Sequence, residues 1–281
     1  MARNAIGVHV SIAGGIEHAP SRAAAEGCET FQCFTRSPQG GPVADLTQET
    51  IAAFQSAMHE HGLSRFVVHA PYIINLASDT PRTRHGSVSI LRKELERASL
   101  LGARYVMFHP GSYGEATLEE GMERVKKSLH EILDGYSGTT QLLIETSAGA
   151  GHVMGSTFQE VGEMVRSVSQ LDAFGGVCFD TCHAFASGYD FRTPEGAAAM
   201  LADFDTHIGL RFLKVSHVND SQTPLGGKKD RHEHIGAGHV GEGGIKAILT
   251  TPVFSAIDWI LETEPEGRGE DLKKLKEMRQ I

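Results

Sequence analysis

Six times along the chain, a short run of aliphatic, aromatic and β-branched residues ends abruptly on a side chain able to bind a proton or a metal. Arg65-Phe-Val-Val closes on His69, Tyr105-Val-Met-Phe on His109, and Gln141-Leu-Leu-Ile on Glu145. Gly176-Val-Cys-Phe closes on Asp180, Phe212-Leu-Lys-Val-Ser on His217, and Ile257-Asp-Trp-Ile-Leu on Glu262. Runs of this kind read as buried strands. Taken singly, each end has a plain reading: Asp180 caps a turn, and His183, three residues on, is a hydrogen-bonded histidine in a loop. Six polar ends on six apolar runs, however, would be costly to desolvate one by one, and a shared metal cluster is the simplest common partner.

The intervals between these runs carry helix signals. Residues 47 to 61 read as a helix that stops at Gly62, and a helix with Asp79 as its cap and Pro81 in its first turn stops at Gly102. Leu118, Met122, Val125, Leu129, Ile132 and Leu133 recur at spacings of three and four, the core-facing stripe of a further helix. Helices follow around residues 158–168, from Thr193-Pro194 onward, and in the charged stretch from Asp271, whose lysines read as a solvated face. With residues 5–10 and 30–34 as the first two strands, eight strand–helix units alternate. The expected fold is a single-domain (β/α)8 TIM barrel over residues 1–281, an open doubly wound sheet being the alternative. Both put function at the C-terminal ends of the strands, here the expected place of a metal site.

A chain of 281 residues is within the range of one such barrel, and 40% hydrophobic with 22% charged residues is ordinary for a soluble protein. No apolar run approaches a membrane span, and the amino terminus lacks an apolar signal core, so a cytoplasmic location is expected. Cys28, Cys33, Cys178 and Cys182 contain no C-x-x-C pair, which disfavours a thiolate zinc site and leaves buried, reduced packing as their role.

Residues 218–244 read as a long loop. Within it Asp230 and His232, two residues apart, project to one side of an extended segment and could share an ion; a polar surface loop is the plain alternative. The glycines at 236, 238, 241, 243 and 244 lack a G-K-[ST] pattern and read as backbone turns. His69, His109, Glu145, Asp180, His183, His217, Asp230, His232 and Glu262 together offer five imidazoles and four carboxylates. That exceeds one tetrahedral zinc and suits a multinuclear centre of zinc, with manganese or iron also compatible. Paired metals of this kind serve phosphoester hydrolysis.

Four motifs carry a resemblance. Gly176-Val-Cys-Phe-Asp-Thr-Cys-His-Ala-Phe-Ala-Ser-Gly-Tyr-Asp190, His217-Val-Asn-Asp-Ser, Asp230-Arg-His-Glu-His-Ile-Gly-Ala-Gly-His-Val-Gly241 and Ile260-Leu-Glu-Thr263 closely resemble endonuclease IV, the zinc-dependent apurinic/apyrimidinic endonuclease. The likeness runs from His9-Val-Ser-Ile-Ala-Gly-Gly15 to Glu262. It implies a phosphoric ester hydrolase with three zinc ions: His69 and His109 on one, Glu145 bridging to a second held by Asp180, His217 and Glu262, and His183, Asp230 and His232 on the third. It also implies a DNA-repair deoxyribonuclease, acting as a monomer on double-stranded DNA with abasic sites or blocked 3′ ends. Cleavage would fall 5′ to the lesion, Glu145 being the catalytic residue at the bridge. Three divalent ions would bring the formal net charge of −9 to −3, so the acidic balance does not exclude DNA.

By the same resemblance Tyr72 matches a side chain inserted into the duplex, in a family that flips the abasic nucleotide out of the stack. Where relatives often carry an arginine and a bulky aromatic, Ser37-Pro-Gln-Gly-Gly-Pro42 offers only Gln39 and two glycines, a short wedge. Arg36, Lys228, Lys229 and Arg231 are candidate phosphate contacts. Two rivals remain: a sugar isomerase or epimerase, which has no use for the extra triplet His183, Asp230 and His232, and a non-catalytic DNA-damage binder, which turnover would exclude.

Overall fold

The computed structural model describes residues 4–41 and 43–279; Pro42, at the end of the predicted wedge loop, and the first three residues of the amino terminus lie outside them. Eight parallel strands close into a barrel: β1 (Ile6–His9), β2 (Thr30–Cys33), β3 (Val67–His69), β4 (Tyr105–Phe108), β5 (Gln141–Glu145), β6 (Phe174–Asp180), β7 (Leu213–His217) and, after a small antiparallel pair β8 (Asp220–Ser221) and β9 (His232–Glu233), β10 (Asp258–Leu261). β1 pairs with both β2 and β10, which closes the ring and leaves no free edge. The expected TIM barrel is the fold observed. In chain order the helices are α1 (Ala19–Ala25), α2 (Gln48–Glu60), α3 (Pro81–Leu101), α4 (Leu118–Leu133), α5 (Phe158–Val168), α6 (Thr181–Ser187), α7 (Pro194–His207), α8 (Gly241–Leu249) and α9 (Arg268–Met278).

The barrel interior explains the six polar ends. Val67, Met107, Leu143, Cys178, Val215 and Ile260 pack together inside the ring, apart from the larger core between strands and helices. Side chains alternate along a strand, so the residue two positions on points to the same side. Counting two from each interior residue gives His69, His109, Glu145, Asp180, His217 and Glu262. One apolar layer therefore seals the barrel beneath a polar layer at its C-terminal mouth.

Strand β6 reaches this arrangement through an irregularity. Its register against β5 shifts between Leu142 and Leu143, and Gly176 sits at φ 142°, a conformation side chains rarely adopt. A Cβ on Gly176 would lie 2.1 Å from the Phe212 carbonyl oxygen. A Cβ on neighbouring Gly175 would instead meet Leu143 and Tyr105, inside the barrel.

Several local expectations need correction. Thr80, not Asp79, occupies the N-cap of α3 and makes no side-chain cap bond. Leu118 is exposed rather than part of the α4 stripe, because it is the first residue of the helix, within the Thr117–Glu120 capping box. His183 lies in helix α6, not in a loop. The expected loop over residues 218–244 contains the β8–β9 pair and the start of α8. On α9, Lys274 and Lys276 donate to the carbonyls of Ile235 and Gly27, so that face is not simply solvated. All four cysteines are buried and unpaired, as expected.

Candidate metal centre

Nine donors converge at the C-terminal mouth in three groups: His69, His109 and Glu145; Glu145, Asp180, His217 and Glu262; and His183, Asp230 and His232. Within each group the nearest ligand atoms lie within 4.8 Å of one another, and Glu145 belongs to the first two. Cys178 and Cys182 also come close, Cys178 beside Glu145 and His217, and Cys182 beside Asp180 and His232. Burial pushes both thiols up, Cys178 to about 11 and Cys182 to about 12, so they stay protonated and serve as packing.

The strand ends deliver the first two groups. The third needs two further devices. Asp180 ends β6 and caps α6, its Oδ1 accepting the His183 backbone N–H at 2.8 Å, which brings His183 back over the mouth. The capping role and the inward position thus coexist, since Oδ2 faces Asn219 Nδ2 at 2.9 Å and His232 Nε2 at 3.7 Å. Asp230 and His232 arrive on the β8–β9 segment, which is fastened by Asp220: this buried carboxylate accepts backbone N–H groups from Ser221, Gly236, Val240 and Gly241. The glycine-rich stretch wraps a carboxylate, and a Cβ on Gly238 would lie 2.5 Å from Asp220 Oδ1.

Hydrogen bonds fix which nitrogen of two imidazoles is free. A carbonyl oxygen only accepts, so His69 Nδ1 must donate to Ala70 O at 2.6 Å, and His183 Nδ1 to Thr146 O at 2.8 Å. Their Nε2 atoms then point inward, to Glu145 Oε2 at 3.1 Å and Asp230 Oδ2 at 3.1 Å. His232 Nε2 lies 3.1 Å from Asp230 Oδ1. Although so close, the buried Nε2 atoms of His183 and His232 make no well-aligned hydrogen bond among the described residues. Donor atoms that crowd without bonding one another suit a cation held between them.

The electrostatics agree. Burial alone would raise Asp230, but the adjacent His183 imidazole overrides it and holds the carboxyl well below the usual range. Burial would lower His232, yet the Asp230 carboxylate 3.1 Å away raises it to about 9. His109, facing burial and the neighbouring His69 and His183 with only partial relief from Glu145, falls to about 4. In the second group burial would lower His217, but Cys178 and the Glu262 and Glu145 carboxylates outweigh it and raise His217 well above its ordinary value. The donor set thus favours positive charge at the second and third groups and keeps His109 a neutral donor.

The mouth opens on a cavity of about 230 Å³ lined by His9, Phe34, Tyr72 and ligand candidates. A groove of about 510 Å³ continues past Ile73, Asn75, Gly111 and Val153. Tyr72 is 64% exposed, and its ring meets Phe34 and His69 edge-on at 5.5 and 5.6 Å. Its N–H donates to Pro38 O, so the Gln39 loop leans on the Tyr72 loop; Gln39 itself is exposed. Lys228, Lys229 and Arg231 are exposed on the β8–β9 segment. Arg36, a candidate phosphate contact, has its guanidinium turned inward, 2.5 Å from the fully buried Glu94 carboxylate. The sequence reading also missed Gln32 and His9, inward-facing on β2 and β1 beside Glu262. The alternation within Thr30-Phe-Gln-Cys-Phe34 is the signal that finds Gln32.

Known proteins resemble this chain over nearly all its length. The family described as xylose isomerase-like TIM barrel matches residues 20–279. A protein named probable endonuclease 4 from Methanoculleus marisnigri is 40% identical over 277 residues, 98% of each chain. Endonuclease IV from Thermus thermophilus superposes with a TM-score of 0.86 at 34% identity, covering 99% of both chains. A D-tagatose 3-epimerase-like protein, at 20% identity and a TM-score of 0.74, shares the fold.

Proposed function

The chain belongs to the endonuclease IV family of xylose isomerase-like TIM barrels, and from that premise we propose that it hydrolyses the phosphodiester on the 5′ side of an abasic site in double-stranded DNA. The products would be a 3′-hydroxyl and a 5′-deoxyribose phosphate, with removal of 3′ blocking groups as a related activity. The convergence of nine donors in three groups around one open mouth carries the reading. A single-metal sugar isomerase would leave the group His183, Asp230 and His232 without a purpose.

In this reading His69, His109 and Glu145 hold one divalent zinc, Glu145, Asp180, His217 and Glu262 a second, and His183, Asp230 and His232 a third. Zinc bound there supplies Lewis acidity, making a nucleophile from water at neutral pH and stabilising the oxygens of an in-line displacement at phosphorus. The chain's own part is geometric. Ala70 O and Thr146 O orient His69 and His183, Glu145 ties two groups together, and the four carboxylates leave three divalent ions a net +2, which attracts a phosphodiester. Tyr72, propped by Phe34, offers an aromatic face to a disturbed duplex. Lys228, Lys229 and Arg231 supply phosphate contacts beside the mouth. The chain would act as a monomer and a single domain, in the cytoplasm; no helix among the described residues is long and apolar enough to cross a membrane.

The test is strand cleavage of a duplex carrying one tetrahydrofuran abasic analogue, which cannot undergo β-elimination. Cleavage 5′ to the analogue that is lost on stripping with a strong chelator and restored by zinc is the expected result. No cleavage by folded, metallated protein would overturn the reading.

A further inference from the structure

We infer that Gln32 is a positioning residue of this centre, setting which nitrogen of His217 faces the carboxylates and holding Glu262 in place; the inference rests on the metal reading above. Gln32 is fully buried on β2, inside the barrel mouth. Its amide nitrogen lies 2.7 Å from Glu262 Oε1, and its amide oxygen 2.7 Å from His217 Nε2. An ionised carboxylate only accepts, so the NH₂ group must face Glu262 and the oxygen must face His217. An amide oxygen also only accepts, so the proton of His217 sits on Nε2.

The lone pair of His217 is thereby left on Nδ1. That atom lies 3.0 Å from Glu145 Oε1, 3.2 Å from Glu262 Oε2 and 3.8 Å from Asp180 Oδ2, the other members of its group. The second amide hydrogen of Gln32 meets His9 Nδ1 at 2.9 Å, so one side chain is engaged in three directions. His69 and His183 take their orientation from main-chain carbonyls, which any sequence supplies. His217 takes its orientation from a side chain, and a substitution can remove it.

Partners of this kind change metal affinity by about 10- to 100-fold when lost. The experiment compares wild type with Gln32→Leu, which removes both bonds, and Gln32→Glu, which keeps an acceptor for His217 but sets a carboxylate against Glu262. Each zinc-loaded protein, its fold checked by circular dichroism, is titrated with a chromogenic chelator. The histidine side-chain N–H signals are followed by ¹⁵N–¹H correlation spectroscopy. In both variants one metal per chain is expected to leave at about 10- to 100-fold lower chelator concentration than in wild type. In Gln32→Leu the exchange-protected Nε2–H of His217 is lost, a change that loosened packing alone would not produce. If wild type binds metal and both variants release it at the same chelator concentration as wild type, with Nε2–H still protected, the role of Gln32 is overturned. If wild type itself binds no metal, the reading of the centre fails instead.

Discussion

His183 Nε2 lies 3.1 Å from a carboxylate oxygen of Asp230, although the two residues come from different segments, helix α6 and the approach to β9. Because His183 Nδ1 donates to the Thr146 carbonyl, the nitrogen turned to Asp230 carries a lone pair when the ring is neutral. A lone pair facing a carboxylate calls for a cation between them. In the metal-free chain that cation is a proton, since burial is outweighed by Asp180 and Asp230, which raise His183 well above its ordinary value; otherwise it is a bound metal ion. Asp230→Asn keeps the shape and removes the charge. It is expected to leave the fold intact, to lose one metal per chain by elemental analysis, and to lower kcat on abasic DNA by more than about 100-fold.

Arg36 and Glu94 form a buried pair, with Thr35 Oγ1 as a further donor to the carboxylate. Arg36→Ala would leave Glu94 charged inside the protein, a change costing about 3 kcal/mol in denaturant unfolding. Affinity of the folded variant for DNA should be unchanged. A selective loss of DNA binding at wild-type stability would instead make Arg36 a phosphate contact.

Tyr72 projects from the mouth with little to hold it beyond Phe34 and His69. Tyr72→Ala is therefore expected to alter stability by less than about 0.5 kcal/mol. Binding to abasic duplex should weaken about tenfold, the loss expected for one aromatic stacking partner, appearing in KM more than in kcat. Unchanged KM would make the ring a bystander.

Away from the centre, Glu29 accepts from Arg279 Nη2 at 2.7 Å, and this bond holds its carboxyl below the usual 4.5. A lowered folded-state value adds stability above the unfolded value and loses it as pH falls through the folded one. Glu29→Gln should thus lower the melting temperature by about a degree or two at pH 7, the pair being half in solvent. The gap from wild type should close as pH falls from the usual 4.5 through the lowered folded-state value. A gap that widened on acidification would contradict the assignment.

The barrel and its six strand-end donors are legible in the sequence because both follow from the period-two alternation of short buried strands. His183 and the pair Asp230 and His232 are legible as donor types, whereas their delivery is not. It depends on the Asp180 cap and on Asp220 gathering main-chain N–H groups from residues up to 21 positions away. Two-residue strands such as β8 and β9 have no periodicity to read. Arg36 escapes a sequence reading because its partner Glu94 lies 58 residues on, on the buried face of α3, and nothing local announces the pair. Gln32 escapes it because its run ends on an apolar residue, Phe34, so the rule of polar ends does not reach it.

Gly175 and Cys178 both point into the barrel, three residues apart, an odd step that a regular strand cannot take. Gly176 absorbs it. Parity thus decides which of two neighbours enters the mouth: with the odd step Asp180 does, and without it Phe179 would. A residue with no side chain, about 13 Å down the strand from Asp180, is as necessary to the chemistry as the ligand it presents. Random mutagenesis scored for lost activity should return position 176 beside the nine donors, though it touches neither metal nor DNA.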